Sequence, residues 1–254
     1  MKKLFVAALV MTVAVMNAQA KQQADTVAAE GGDIKITPIM HSSVQLEYGG
    51  KVIQVDPVAK YDGVELPLLG KFDALKPADL ILVTDIHPEN LDVDEIVKLR
   101  KSDAPVVMPA AAAKQAGAKI SSPTVMANGE MKTVAGISIE ALPMYNILHG
   151  PKPGEPYHPK GRGNGYILTL GGKRVYFSGD TECTDEIKAL KNIDVAFLPM
   201  NMPTTMTPAE VVDCVKAFQP KIFYPYHYEG QKRDEALTKA FLAGTSTEIR
   251  VNLK

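Results

Sequence analysis

The sequence has little cysteine, no excess of one charge and no hydrophobic run long enough for a transmembrane helix. Its 254 residues include 28 Lys and Arg against 29 Asp and Glu, so the chain lacks the basic excess that nucleic-acid binding needs. The two cysteines, Cys183 and Cys214, lie far apart in sequence, which says little about their geometry. We expect both to pack as ordinary side chains rather than to form a disulfide.

The N-terminus has the pattern of a secretory signal peptide. Two lysines precede an apolar run over residues 4–16, and a small-x-small pattern ends at Ala20. The run is shorter than the ~20 residues that span a bilayer, and no cysteine follows it to carry a lipid. We expect cleavage after Ala20, a periplasmic or secreted protein, and no stable membrane anchor.

A polar linker over residues 21–32 is predicted to lead into one domain over residues 33–254. The hydrophobic content of 46% is typical of a chain with a sizeable core. The domain begins with antiparallel strands at residues 33–36, 43–48 and 51–55, the last two joined by a Gly-Gly hairpin turn. No internal sequence repeat is visible.

From residue 80 onward, strands followed by helices are predicted. The strand at residues 80–84 leads to a helix at residues 93–101, for which Asp92 is the predicted N-cap. Further strands are predicted at residues 105–108, 131–134, 137–142, 166–170, 174–178, 194–198 and 221–224, and further helices at residues 110–117, 185–191 and 207–218. The second half of the domain therefore repeats the design of the first.

A long loop over residues 145–165 contains several Gly and Pro residues. A loop of that length inside a compact domain is usually functional or disordered, and we favour function. It carries His149, His158, Lys160 and Arg162. The last two are candidates to bind an anionic group of a substrate, although a solvated basic loop explains them equally well.

Three predicted strands end at side chains that can ligate a metal. The apolar run at residues 80–84 stops at Asp85, with His87 and Glu89 close behind. Asp180 follows the strand at residues 174–178, and His227 follows the strand that begins at residue 221. Buried strands that deliver carboxylate and imidazole groups to their ends predict a metal site.

Together these segments resemble the metallo-β-lactamase fold superfamily, in its branch of lactonase-like and phosphodiesterase-like hydrolases. The segments that carry the resemblance are His41-Ser42-Ser43, Val55-Asp56-Pro57, residues 84–92, Pro143-Met144-Tyr145-Asn146, His158-Pro159-Lys160-Gly161, Ser178-Gly179-Asp180-Thr181 and Pro225-Tyr226-His227. They cover nearly the whole chain after the signal peptide. The resemblance implies an α/β (α+β) domain: a four-layer αββα sandwich of two mixed sheets flanked by helices, with metals at the sheet edge.

The family's first metal motif, His-x-His-x-Asp-His, sometimes begins with Asp, and here it is degenerate. Its four places hold Asp85, His87, Glu89 and Asn90. Asn90 offers a neutral oxygen where the family has an imidazole, so we expect a weaker second site. The implied metal ligands are Asp85, His87 and His158 for one ion, Asp180 as a bridge, and Glu89 and His227 for a second ion.

The resemblance implies one or two divalent ions, with zinc expected and manganese or iron as alternatives. Carboxylate oxygens among the ligands favour the harder ions. His149 is the alternative to His158 as a nitrogen ligand. His41 fits a turn or an outer position better than direct ligation.

The implied function is a periplasmic metal-dependent hydrolase that uses a metal-activated water on a small ester, lactone, amide or phosphodiester. Asp180 and Glu89 are the catalytic candidates, Glu89 as general base if it is not a ligand. Tyr145 and Asn146 join the two basic loop residues as substrate-binding candidates. The alternative is a protein that kept the fold, lost catalysis, and serves as a periplasmic binding or structural protein. The sequence leaves the oligomeric state open.

Overall fold

The computed structural model describes residues 24–61, 64–65, 75–227 and 244–250. The predicted signal peptide and cleavage site lie outside the described residues. Among the described residues, no helix combines the length and the apolar character needed to cross a membrane.

The first sheet combines an antiparallel meander with parallel strands. Its members are β1 (Asp25–Val27), β2 (Ile34–Met40), β3 (Ser43–Tyr48), β4 (Lys51–Val55), β7 (Leu80–Leu82), β8 (Val106–Met108) and β9 (Thr124–Val125), in that spatial order. Strands β1 to β4 pair antiparallel, and β4, β7, β8 and β9 pair parallel. A separate two-stranded hairpin joins β5 (Lys60–Tyr61) to β6 (Val64–Glu65).

Strand β1 lies where the sequence predicts a linker. Asp25 pairs with Ile36 of β2, and the side chain of Val27 is buried in the core. The polar composition of residues 21–32 conceals this strand, because a three-residue edge strand needs only one inward side chain. The predicted linker therefore contributes to the sheet.

The second sheet repeats the plan of the first. Its members are β10 (Met131–Val134), β11 (Ile137–Met144), β12 (Gly163–Leu170), β13 (Lys173–Phe177), β14 (Val195–Pro199), β15 (Ile222–Tyr226) and β16 (Glu248–Ile249), in that spatial order. Strands β10 to β13 are antiparallel, and β13 to β16 are parallel. The predicted similarity of the two halves is confirmed.

Among the residues that the structure describes, four α-helices flank the sheets. They are α1 (Val93–Leu99), α2 (Ala110–Ala116), α3 (Asp185–Lys188) and α4 (Pro208–Phe218). The predicted N-cap of α1 is confirmed, since the Asp92 side chain accepts a hydrogen bond from the Glu95 backbone N–H at 3.0 Å. Helix α4 begins with a capping box in which Thr207 and Glu210 satisfy each other's backbone N–H groups.

Three apolar clusters separate the four layers. The largest lies between the sheets and includes Leu80 and Leu82, whereas Ile81, between them in β7, packs with Ile96 on the helix side. A third cluster lies between the second sheet and helices α3 and α4. Because side chains alternate along a strand, a strand buried on both faces must be apolar throughout, as this one is. The predicted αββα sandwich is confirmed.

A disulfide joins Cys183 to Cys214, with the two Cα atoms 5.5 Å apart. It ties the segment just after Asp180 to helix α4. The expectation that the cysteines pack without pairing is wrong, because packing of α4 against α3 brings together residues that are far apart in sequence.

Candidate metal centre

The candidate ligands meet at one edge of the two sheets. Asp85 follows β7, Asp180 follows β13 and His227 follows β15, so each lies at the carboxyl end of a strand. His41 occupies the turn between β2 and β3, and His158 lies in the loop between β11 and β12. Strand ends and the loops beyond them are the usual place for sites in sheets with parallel strands.

A first cluster contains Asp85, His87, His158 and Asp180, whose ligand atoms lie within 4.8 Å of one another. His87 Nδ1 is 3.3 Å from Asp85 Oδ2 and 4.0 Å from Asp180 Oδ2. His158 Nε2 is 3.6 Å from the same Asp180 oxygen. The structure thus brings together all four residues that the sequence assigns to the first ion and the bridge.

A second cluster contains His41, Glu89 and His227, again with ligand atoms within 4.8 Å. His227 Nε2 lies 3.2 Å from Asp180 Oδ1, so the Asp180 carboxylate faces both clusters through its two oxygens. Glu89 and His227 were predicted to share an ion, and the structure places them together. His41 joins them, although the sequence favoured an outer position for it.

Several buried polar atoms at the centre lack hydrogen-bond partners among the described residues. They are Asp180 Oδ2 and both ring nitrogens of His227. Unpaired buried polar atoms are costly, and most have partners in folded proteins. Carboxylate and imidazole atoms that converge without satisfying one another fit a divalent cation. This donor set of nitrogen and oxygen is compatible with zinc, iron or manganese.

Arg162 contacts a candidate ligand. Its Nε and Nη2 donate to the two oxygens of Asp85 at 3.0 and 2.7 Å, and Nη2 also lies 3.4 Å from His87 Nε2. Such a two-point contact fixes both the position and the charge of the carboxylate. Arg162 therefore balances the charge of Asp85, and its contact with a substrate anion stays a prediction.

Asn90 is a hydrogen-bond donor in this structure. Its Nδ2 lies 3.2 Å from Asp56 Oδ2, Thr84 Oγ1 and Asp180 Oδ1 alike. Three oxygen atoms around one amide nitrogen fix its orientation, because the nitrogen is the donating end of the side chain. Asn90 therefore links Asp56 to Asp180 and is not the weak oxygen ligand that the motif implied.

Asn146 orients His158. Its Oδ1 accepts from the His158 backbone N–H at 2.8 Å and lies 2.6 Å from His158 Nδ1. Since an amide oxygen only accepts, Nδ1 carries the proton and Nε2 presents its lone pair towards Asp180. The Asn146 amide in turn donates to Glu182 at 2.9 Å. Asn146 thus positions a ligand, a role that differs from the predicted substrate contact.

The remaining loop residues contact acidic partners outside the clusters. Lys160 Nζ is 2.6 Å from Glu186 Oε1 and 4.7 Å from the centre of the Tyr145 ring, while Tyr145 donates to Glu186 at 3.0 Å. His149 Nε2 lies 3.2 Å from Glu210 Oε1 and is in neither cluster. Of the two candidate histidines in this loop, His158 is the one near the other ligands.

Burial and the Asp180 charge divide the histidines into two groups. Burial lowers the pKa of His41 to about 2 and that of His158 to about 4. The Asp180 carboxylate raises the pKa of His87, and for His227 it outweighs the opposite effect of burial. Burial by itself would raise the pKa of Asp180, but the nearby charge of His227 holds it well below its usual value.

These shifts predict how the stability of the metal-free protein depends on pH. The pKa values of His87, His227 and Asp56 are raised in the folded state, so these groups bind protons more tightly when the protein is folded. Their stabilising contribution to the free energy of unfolding is lost as pH rises through the folded-state pKa values. We therefore expect the free energy of unfolding to fall between about pH 6.5 and pH 9. Urea denaturation in the presence of a chelator measures it.

The metal-loaded protein is the control for this pH dependence. Metal ions compete with protons for the imidazoles, so added metal should stabilise the protein more strongly as pH rises. A metal-free stability that is constant or increases over the same range would contradict the assigned shifts.

Three residues at this edge have backbone angles that are rare outside glycine. The φ angles are 52° at His41, 43° at Asp56 and 52° at His227. Such conformations cost energy and cluster at functional sites. The sequence favoured an outer position for His41 because nothing in its context reveals a positive φ angle or the proximity of His227.

Comparisons with known proteins agree with this geometry. The family model described as the β-lactamase superfamily domain matches residues 35–227. A UPF0173 metal-dependent hydrolase of Pelotomaculum thermopropionicum is 29% identical over 227 residues, covering 86% of this chain and 96% of the relative. One from Thermococcus kodakarensis is 30% identical over 204 residues, covering 77% and 84%.

A solved structure shows the same fold. It is a protein of Parabacteroides distasonis, provisionally assigned as a metal-dependent hydrolase, with 38% sequence identity and a TM-score of 0.78. The match covers 91% of this chain and 98% of the other. The similarity therefore extends over nearly the whole of this chain.

Proposed function

We propose, since this chain belongs to the β-lactamase superfamily domain family, that it is a metal-dependent hydrolase acting on a small ester, lactone or amide. The observation that carries the proposal is the pair of ligand clusters on either side of Asp180. A site with no ligand to bind has no physical reason to bury so many imidazole and carboxylate groups with unpaired atoms.

The residues of such a site have different roles. Asp85, His87 and His158 would hold one ion, and Asp180 would face both. A bound divalent ion lowers the pKa of its water from 15.7 to about 7 and polarises the bond to be cleaved. Arg162 and Asn146 keep Asp85 and His158 in place through the contacts described above. Glu89 lies at the more exposed side of the centre, where it faces any incoming substrate.

Charge pairing favours an uncharged substrate. The two cations that suggested an anionic substrate are already paired, Arg162 with Asp85 and Lys160 with Glu186. An anion bound there would have to share its cation with a carboxylate that already neutralises the positive charge. We therefore place carboxylic esters, lactones and amides ahead of phosphodiesters.

A cavity with a mixed lining supports a substrate with a small hydrophobic group. Its volume is about 310 Å³, and its lining combines apolar side chains such as Leu148 and Met206 with charged ones, Glu182, Lys188, Glu210 and Asp213. Glu182 connects the cavity to the centre, because it accepts a hydrogen bond from Asn146, which orients His158. Pockets of this size and mixed lining are typical of small-molecule sites.

A location outside the cytoplasm is part of the proposal. The N-terminal signal pattern supports it, and so does the Cys183–Cys214 disulfide, because such bonds persist mainly in oxidising compartments. Cell fractionation followed by N-terminal sequencing tests this. A periplasmic chain that begins at Lys21 is expected, whereas an uncleaved cytoplasmic chain would reject it.

The hydrolytic activity is tested with protein purified without chelator. Chromogenic esters, lactones, anilides and bis(p-nitrophenyl) phosphate are compared before chelation, after chelation and after metal is restored. We expect ester or lactone turnover that disappears with chelator and returns with metal. Turnover of the phosphodiester alone would overturn the substrate class. Metal-loaded protein inactive on every compound would favour the alternative of a binding protein.

A further inference from the structure

We propose that His41 is a metal ligand and that it provides the nitrogen donor that Asn90 does not. The second ion is then held by His41, Glu89 and His227, with Asp180 shared between the two ions. This inference rests on the proposed metal-dependent function, but it concerns which residues build the second site. It also reverses the expectation of a weak second site.

Asn90 cannot serve this ion without losing its present contacts. Its amide nitrogen is surrounded by oxygens of Asp56, Thr84 and Asp180, each at 3.2 Å, and the whole side chain is buried. Turning its oxygen towards Asp180 would place two acceptors together and remove the donor from both carboxylates. The network therefore fixes Asn90 as a donor, and a nitrogen ligand has to come from another element.

His41 lies where that ligand is needed. A ligand atom of His41 lies within 4.8 Å of ligand atoms of Glu89 and His227, and its ring centre is 3.7 Å from that of His227. Only 4% of His41 is exposed, and only 1% of His227. Two buried imidazoles and one partly exposed carboxylate thus surround a single point.

The backbone brings the two histidines together. The His227 N–H donates to the His41 carbonyl at 2.8 Å, and both residues have a φ angle of 52°. Each such angle costs about 1 kcal/mol or more in a residue other than glycine. A turn before β3 and a strand end after β15 therefore hold two strained histidines side by side, which a purely structural pair would not require.

The resulting donor set is chemically complete. Two imidazole nitrogens and two carboxylates, one of them shared with the first cluster, give four ligands, which is the usual number for zinc. Glu89 acts here as a ligand, so the role of general base falls to another group. The second ion would be bound about as firmly as the first, in contrast to a site with an amide ligand.

The test compares His41→Gln, Glu89→Gln and the double variant with the unchanged chain. His149→Ala is the control, because its ring contacts Glu210 outside both clusters. Bound zinc per chain is measured by mass spectrometry after dialysis, and affinity by competition with a chelating dye. Circular dichroism and urea unfolding establish that each variant folds. If His41→Gln does not fold, His41→Asn takes its place, and Glu89→Gln, at a partly exposed position, reports separately on the second ion.

We expect the unchanged chain and His149→Ala to bind two ions. Each variant of the second cluster should lose the same ion, with its affinity lowered at least ~100-fold, beyond the 10–100-fold effect of an outer residue. The double variant should lose no further ion than either single variant, because His41 and Glu89 bind the same ion. If His41→Gln folds and keeps two ions at unchanged affinity, His41 is not a ligand and the proposed function stands. If the unchanged chain binds no metal, both proposals fail.

Discussion

Replacing Asp180 with alanine is expected to lower hydrolysis at least ~10³-fold and to reduce bound metal. Asp180 is fully buried, and its oxygens face His158 at 3.6 Å and His227 at 3.2 Å. Without it, several imidazoles crowd together with no central negative charge, and both ion sites lose a ligand. Steady-state rates on the best substrate and metal content by mass spectrometry measure the effect.

The matched control is Asp185→Asn, a change to an exposed carboxylate a few residues further along the same segment. It should leave both quantities unchanged. Under the alternative of a binding protein that lost catalysis, Asp180→Ala would keep its ligand affinity and there would be no turnover to lose. Full activity in Asp180→Ala would reject the hydrolase mechanism, because the Asp180 carboxylate faces both clusters through its two oxygens.

Replacing Asp56 with alanine is expected to lower the free energy of unfolding by about 3–5 kcal/mol. The Asp56 carboxylate accepts from the Thr84 N–H at 2.7 Å, the Thr84 hydroxyl at 2.6 Å and the Asn90 amide at 3.2 Å. All of these groups are buried, so the change leaves donors without acceptors and opens a cavity. Urea denaturation at neutral pH gives the value.

The pH dependence provides a second readout for Asp56. Burial raises its pKa to about 8, so part of the predicted loss of stability at alkaline pH comes from this residue. In the alanine variant that part should be missing. Asp103→Ala, at an exposed position, is the control and should change stability by less than about 0.5 kcal/mol. A variant of Asp56 as stable as this control would show that the network does not support the fold.

Local sequence patterns were sufficient to predict where much of the candidate site lies in the fold. Asp85 and His87 follow an uninterrupted apolar strand, and Asp180 follows another, so their placement at strand ends could be read directly. The roles of Arg162 and Asn146 could not. Both lie in a long loop where sequence shows polar side chains but not their partners. Arg162 contacts Asp85 beyond β7, whereas Asn146 contacts His158 in the same loop and Glu182 beyond β13.

The disulfide and His41 illustrate the same limit over longer separations. Cys183 and Cys214 are 31 residues apart, and only the packing of α4 beside the Asp180 segment brings them to bonding distance. His41 and His227 lie far apart in the sequence. Their contact depends on the two sheets facing each other, because one turn belongs to the first sheet and the other strand end to the second.

The sequence by itself determined the strand ends that carry the ligands, because apolar runs are local consequences of burial, and its resemblance to the metallo-β-lactamase superfamily implied the αββα architecture. The tertiary structure alone decided which donors converge. In that structure Asn90 donates hydrogen bonds and Arg162 pairs with Asp85. His41 lies close to Glu89 and His227. The physical reason is that ligation, charge pairing and amide orientation depend on distances of a few ångströms between elements, which no periodicity along one chain encodes.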